Sequence, residues 1–75
     1  MKELVEYIVK GLVDRPDEVA VSENRRGGDV ALQLHVSADD MGRVIGKGGK
    51  VANALRALLR AMAAKDNLRV TLDID

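Results

Sequence analysis

The stretch Gly42-Arg43-Val44-Ile45-Gly46-Lys47-Gly48-Gly49-Lys50-Val51 decides how the rest of this 75-residue chain can be arranged. Three of its glycines fall within four residues, so neither a helix nor a strand is expected to run through them undisturbed. Apolar residues with a helical period lie on both sides. The stretch therefore predicts a tight turn of bare backbone between two short helices, the second beginning at about Gly49.

Such a turn has the properties of an anion site. A helix start carries unpaired N–H groups and a partial positive charge, and glycines let a phosphate approach that backbone closely. Lys47 and Lys50 bracket the last two glycines, and Arg43 precedes them. Residues 41–65 contain six basic and no acidic residues, whereas the rest of the chain contains six basic and twelve acidic ones. Solvated helix faces would explain single charges equally well, but the local excess suits a polyanion.

Length and composition indicate one domain over residues 1–75, with one small core. A domain of this size is marginally stable alone, which makes a partner or a homodimer plausible. The chain has no cysteine and one histidine, so neither a disulfide framework nor a metal site is supported. Because it contains no long apolar run and no signal-peptide layout, we expect a soluble cytoplasmic protein without a membrane span.

Hydrophobic periodicity predicts three helices and three strands. The helices are expected at 2–13, at about 38–45 and from about Gly49 to Lys65, and the strands at 18–25, 30–36 and 68–74. The residues 26–29 (Arg-Gly-Gly-Asp) are typical of a hairpin turn. Ser37 and Asp40 have the spacing of a capping box. Gly42 lowers the helix propensity of its segment by about 1 kcal/mol, for reasons of packing or to make room for a ligand.

The third helix is expected to bury one apolar side. That side is formed by Val51, Ala52, Leu55, Leu58, Leu59 and Met62. A right-handed crossover through the two later helices would make the strands 30–36 and 68–74 parallel. The fold class is therefore α+β, with a three-stranded mixed sheet, strand 30–36 in the middle and all helices on one face.

Two nucleotide-binding motifs do not fit the glycine turn. A P-loop has four residues between its first glycine and its Gly-Lys pair, and a Ser or Thr directly after that pair. Here three residues separate Gly42 from Gly46, and the residue after Lys47 is a glycine without a hydroxyl group. A dinucleotide fingerprint needs a strand immediately before it, whereas a helix is predicted before this turn. No nucleophile–base pair lies nearby, so the sequence predicts no enzyme and implies no cofactor.

Placed between two helices, the turn resembles the GxxG loop of a KH domain, with Gly46, Lys47, Gly48 and Gly49 as its four residues. The order αββααβ resembles the type II KH arrangement and covers the whole chain. At this length the chain is similar to the small bacterial KH-domain RNA-binding proteins of the KhpA (YlqC-type) family. The resemblance implies a cytoplasmic RNA chaperone that acts with a KhpB/Jag-type RNA-binding partner in post-transcriptional regulation, cell shape and peptidoglycan homeostasis.

A KH loop clamps the backbone of about four nucleotides. Accordingly, the four loop residues are expected to present N–H groups to phosphates, with charge from Lys47, Lys50 and Arg43. The bases would lie in an apolar groove between the helix pair and the edge of the central strand. Candidates for its floor are Val44, Ile45, Val51 and Leu55, although a plain core role explains these four equally well. Stacking platforms are excluded because the only aromatic residue is a tyrosine.

A second hypothesis is a protein-interaction module. The chain would then keep the KH fold, use its helical face to pair with itself or with a KhpB-type protein, and have little affinity for RNA of its own.

Overall fold

The computed structural model describes all 75 residues, Met1–Asp75, as three helices and a three-stranded sheet. The elements are α1 (Lys2–Lys10), β1 (Ala20–Arg26), β2 (Asp29–His35), α2 (Met41–Ile45), α3 (Lys50–Lys65) and β3 (Arg69–Ile74). Short 3₁₀ turns lie at Pro16–Glu18, Ala38–Asp40 and Lys47–Gly49. No helix has the length and apolar character needed to span a membrane.

The sheet has the order β1-β2-β3. Strand β1 runs antiparallel to β2, and β3 runs parallel to β2. The predicted α+β class, element order and mixed sheet with strand 30–36 in the centre are confirmed.

The β1–β2 hairpin follows its sequence closely. Arg26 lies opposite Asp29, so the loop consists of Gly27 and Gly28 alone. Gly27 has a φ of 56°, which glycine adopts without steric cost. In β2 the residues alternate between exposed and buried positions, with Val30, Leu32 and Leu34 inside.

Helix α1 is shorter than the sequence predicts. The apolar residues Leu12 and Val13 continue the pattern, but the helix ends at Lys10. The N–H group of Gly11 closes the last turn by donating to the carbonyl groups of Tyr7 and Ile8. The N–H groups of Leu12 and Val13 still donate to the carbonyl of Val9, so the predicted segment continues as one further turn beyond the regular helix, next to a glycine of low helix propensity.

The core lies between the sheet and the helices. Helix α1 covers β1 with Val5 and Val9, and α3 covers β3 with Leu55 and Leu59. Helix α2 packs against α3. The helices share one face of the sheet, as predicted, because only that face carries the buried strand residues.

The apolar side of α3 is narrower than expected. Its buried residues are Ala52, Leu55, Leu59 and Ala63. Leu58 is 44% exposed and Met62 is 36% exposed, so the prediction that both are buried is wrong. The physical reason is that a three-stranded sheet and one short helix cover only a single stripe of α3.

Candidate nucleic-acid interface

The connection between α2 and α3 consists of Gly46 and the single 3₁₀ turn Lys47–Gly49. Its three glycines have φ values of 77°, 65° and 79°. Gly49 adopts the left-handed conformation and is the N-cap of α3. The predicted turn between two helices, and the start of the second helix at about Gly49, are confirmed.

Glycine is needed at Gly46 and at Gly48 for different structural reasons. A Cβ atom at Gly46 would lie 2.6 Å from the Cγ2 atom of Val51 and 2.8 Å from its backbone nitrogen. Only a hydrogen atom fits there, so Gly46 allows α2 and α3 to meet. At Gly48 a Cβ atom would meet no atom within 4 Å. Gly48 therefore presents bare, exposed backbone to the surroundings.

The loop uses part of its own hydrogen-bonding capacity. The N–H of Gly46 donates to the carbonyl of Gly42 at 2.9 Å, and the N–H of Gly49 donates to that of Gly46 at 3.1 Å. The expectation that all four loop residues offer their N–H groups to phosphates is therefore wrong for these two, because closing the turn already uses them. The amides of Lys47 and Gly48 remain as the main-chain candidates.

The cations near the loop differ in how freely they can meet a ligand. Lys47 and Lys50 are exposed and form no ion pair. The guanidinium of Arg43 lies 3.2 Å from the carboxylate of Asp14, and both side chains are exposed. Exposed pairs of this kind contribute little stability, so a phosphate can compete for Arg43.

The proposed groove floor divides into two classes. Val44 is 0% exposed and Leu55 is 5% exposed, so both belong to the core and cannot serve as an open floor. The half-buried residues Ile45 and Val51 remain accessible beside the loop. Space around Gly42 is open as well, since a Cβ atom there would meet nothing within 4 Å, which excludes packing within the chain as the reason for this glycine.

The edge of the groove also differs from the prediction. Strand β2 is paired on both sides, so the central strand has no free edge, and the free edge next to α3 belongs to β3. A cavity of about 230 Å³ lies between them, lined by Arg56, Leu59, Arg60 and residues 70–73. The side chain of Arg56 donates to the carbonyl of Leu72 from Nε at 3.2 Å and from Nη2 at 3.1 Å.

A buried carboxylate anchors the segment that leads into α2. Asp40 is 1% exposed and accepts the N–H groups of Asp14 and Arg15, each at 3.0 Å, and the hydroxyl of Ser37 at 3.0 Å. The hydrogen bond from the Asp14 N–H is the main reason that the pKa of Asp40 lies below its ordinary value of 3.8. The predicted capping box is wrong, since the Ser37 side chain caps no backbone N–H and instead bonds the carboxylate that ties the α1–β1 connection to α2.

The comparison with protein families agrees with this geometry. The family model described as KhpA/KhpB, KH domain, matches residues 2–74. The chain belongs to this KH-domain family. Two proteins named RNA-binding protein KhpA are similar to it over 99% of its length. The relative from Halalkalibacterium halodurans is 53% identical, with 97% of its own chain covered, and that from Clostridium acetobutylicum is 50% identical, with 99% covered.

A more distant relative of the same name, from Chlamydia muridarum, is 45% identical, and the match covers 95% of that protein. No solved structure matches the chain. The family is one of KH-domain RNA-binding proteins and not of enzymes.

Proposed function

We propose that this protein binds single-stranded RNA and holds the sugar-phosphate backbone at the loop Gly46–Gly49. The observation that carries the proposal is the exposed glycine turn at the N-terminus of α3, flanked by two lysines that have no acidic partner. The names of the relatives support RNA as the polyanion.

The loop supplies three kinds of attraction. Open space at Gly48 lets a phosphate reach the backbone, and the partial positive charge at the start of α3 favours an anion there. Lys47, Lys50 and Arg43 add point charges, Arg43 by exchanging its contact with Asp14. The bases then extend along α3 toward the free edge of β3, past the accessible side chains of Ile45 and Val51.

The test is a double variant, Lys47→Asp with Gly48→Asp, titrated with an eight-nucleotide single-stranded RNA. Two neutralised phosphates give a slope of log K against log salt of about −1.4, and we expect the variant to lose most of this slope and of the affinity. The matched control is Arg26→Asp with Gly27→Asp in the hairpin, because Gly27 also has a positive φ and open space. Unchanged affinity and slope in a folded loop variant would rule the clamp out.

A second candidate function is a protein-interaction module. It is favoured by the exposed apolar residues Leu58 and Met62 on α3, which offer a helical surface to a second copy or to a partner. Light scattering after size exclusion, with and without RNA, separates the two functions. A dimer whose affinity for RNA does not change in the loop variant would favour the interaction module.

We further propose that the protein works in the cytoplasm as an RNA chaperone together with a KhpB/Jag-type RNA-binding protein, in post-transcriptional regulation, cell shape and peptidoglycan homeostasis. Support comes from the family resemblance: the family description gives KhpA and KhpB the same kind of KH domain. A single four-nucleotide site binds weakly, and linkage to a second RNA-binding module would raise the affinity by multivalency. Co-purification of a Jag-type protein from a lysate, with loss of that protein in a Leu58→Asp variant, would support the partnership. If no Jag-type protein co-purifies with the unaltered chain, the partnership is contradicted.

A further inference from the structure

The free edge of β3 offers a regular set of backbone groups to the groove. At one end of β3, the N–H of Arg69 donates to the carbonyl of Gly28 in the hairpin. At the other end, the N–H of Asp75 donates to the carbonyl of Leu34 in β2, and the carbonyl of Asp75 accepts the N–H of Val36. In a parallel pair, alternate residues point their backbone groups to opposite sides. Residues 70, 72 and 74 therefore direct their N–H and C=O groups outward, toward the cavity beside α3.

Arg56 changes what this edge can offer. A carbonyl oxygen has two lone pairs, and two N–H groups of Arg56 reach that of Leu72. The carbonyl is thereby satisfied, whereas the N–H of Leu72 still points into the groove. Arginine carries five N–H donors, so three of those on Arg56 remain for a ligand. At Leu72 the groove consequently presents donors and no free acceptor.

The same position lies on the path from the loop. Gly49, Asn53, Arg56 and Arg60 are spaced by four, three and four residues, so they follow one line along the surface of α3. Arg56 lies about 10 Å from the start of the helix, within reach of the four nucleotides that a KH loop holds. No carboxylate pairs with Arg56 or Arg60.

We propose that Arg56 makes the groove selective for bases with two adjacent acceptor atoms, and against adenine. Guanine offers N7 with O6, and cytosine offers N3 with O2. Beside both N1 and N7, adenine carries its donor amino group, so the second N–H of the Arg56 fork would face a donor, and the nearest outward carbonyl, that of Leu72, is occupied. The inference rests on the proposed RNA-binding function and names the base class read at that site.

The experiment compares an eight-nucleotide oligocytidine with an oligoadenosine of the same length at pH 7.5 and constant salt. We expect the unaltered protein to bind the cytidine strand at least about fivefold more tightly, the lower end of discrimination by a bidentate contact. Arg56→Lys keeps the charge but loses the planar fork, so the ratio should fall to about one while the salt slope stays the same. Arg60→Lys, on the same line but without a backbone bond, is the matched control and should keep the ratio.

The possible results distinguish a failure of the Arg56 proposal from a failure of the proposed RNA-binding function. Equal binding of the two strands by the unaltered protein, or a ratio that persists in folded Arg56→Lys, overturns the role of Arg56 and leaves the loop clamp standing. Absence of salt-dependent binding to either strand overturns both. Thermal melting of each variant establishes that it is folded.

Discussion

Gly46→Ala is expected to destabilise the domain more than any other single change to alanine in the loop. The new Cβ atom would lie 2.6 Å from Cγ2 and 2.8 Å from the backbone nitrogen of Val51, closer than non-bonded atoms can approach. The φ and ψ of Gly46, 77° and 170°, fall in a region that is essentially restricted to glycine, where another residue costs about 1–3 kcal/mol. Overpacking adds about 1–3 kcal/mol.

The sum, about 2–6 kcal/mol, is large for a chain of this length, whose free energy of unfolding is about 4–11 kcal/mol at typical values per residue. Gly48→Ala is the matched control, because its φ is also positive but a Cβ atom there meets nothing. We expect it to cost about 1–2 kcal/mol.

Urea unfolding followed by circular dichroism measures both variants, with the m-value as the check on two-state behaviour. In thermal melts each 1 kcal/mol corresponds to about 4–8 °C for a domain of this size. If Gly46→Ala is as stable as Gly48→Ala, the close contact with Val51 does not exist in solution and the account of how α2 meets α3 is wrong.

Other variants test other parts of the structure. Gly42→Ala should stabilise α2 by about 0.5–1 kcal/mol in urea unfolding but weaken RNA binding in a titration, because the added methyl group projects into open space beside the loop. Folding lowers the pKa of Asp40, so its contribution to stability is present above pH 3.8 and is lost as pH falls through the folded-state pKa. The free energy of unfolding of Asp40→Asn should therefore decrease less steeply on acidification than that of the unaltered protein. Leu59→Ala should cost about 2–5 kcal/mol, whereas exposed Leu58→Gln should cost less than about 0.5 kcal/mol by the same unfolding assay.

Local sequence patterns predict most of the fold. The Gly-Gly hairpin and the alternation in β2 and β3 predicted the strands because their side chains report directly which face is buried. The glycine turn predicted the loop for a similar reason, since a positive φ strongly favours glycine. The prediction for helix α1 is too long because apolar periodicity continues through Leu12 and Val13, whereas the regular helix ends at Lys10 and only a turn follows.

Contacts between distant parts of the chain could not be predicted in this way. The carboxylate of Asp40 bonds backbone groups 25 and 26 residues away, and Arg56 bonds a carbonyl 16 residues away. Neither contact leaves a periodic signal. The exposure of Leu58 and Met62 was missed because it depends on how much of α3 the small sheet covers, and the groove was assigned to the wrong strand edge because the central strand is paired on both sides.

The most direct test of the central claim is an NMR titration of the ¹⁵N-labelled protein with an eight-nucleotide single-stranded RNA of mixed sequence. The account predicts that the amide signals of Lys47 and Gly48 shift first, followed by those of Val70, Leu72 and Ile74 along the free edge of β3. Shifts confined to the surface around Leu58 and Met62, or to the open face of the sheet, with the loop signals unmoved, would contradict it.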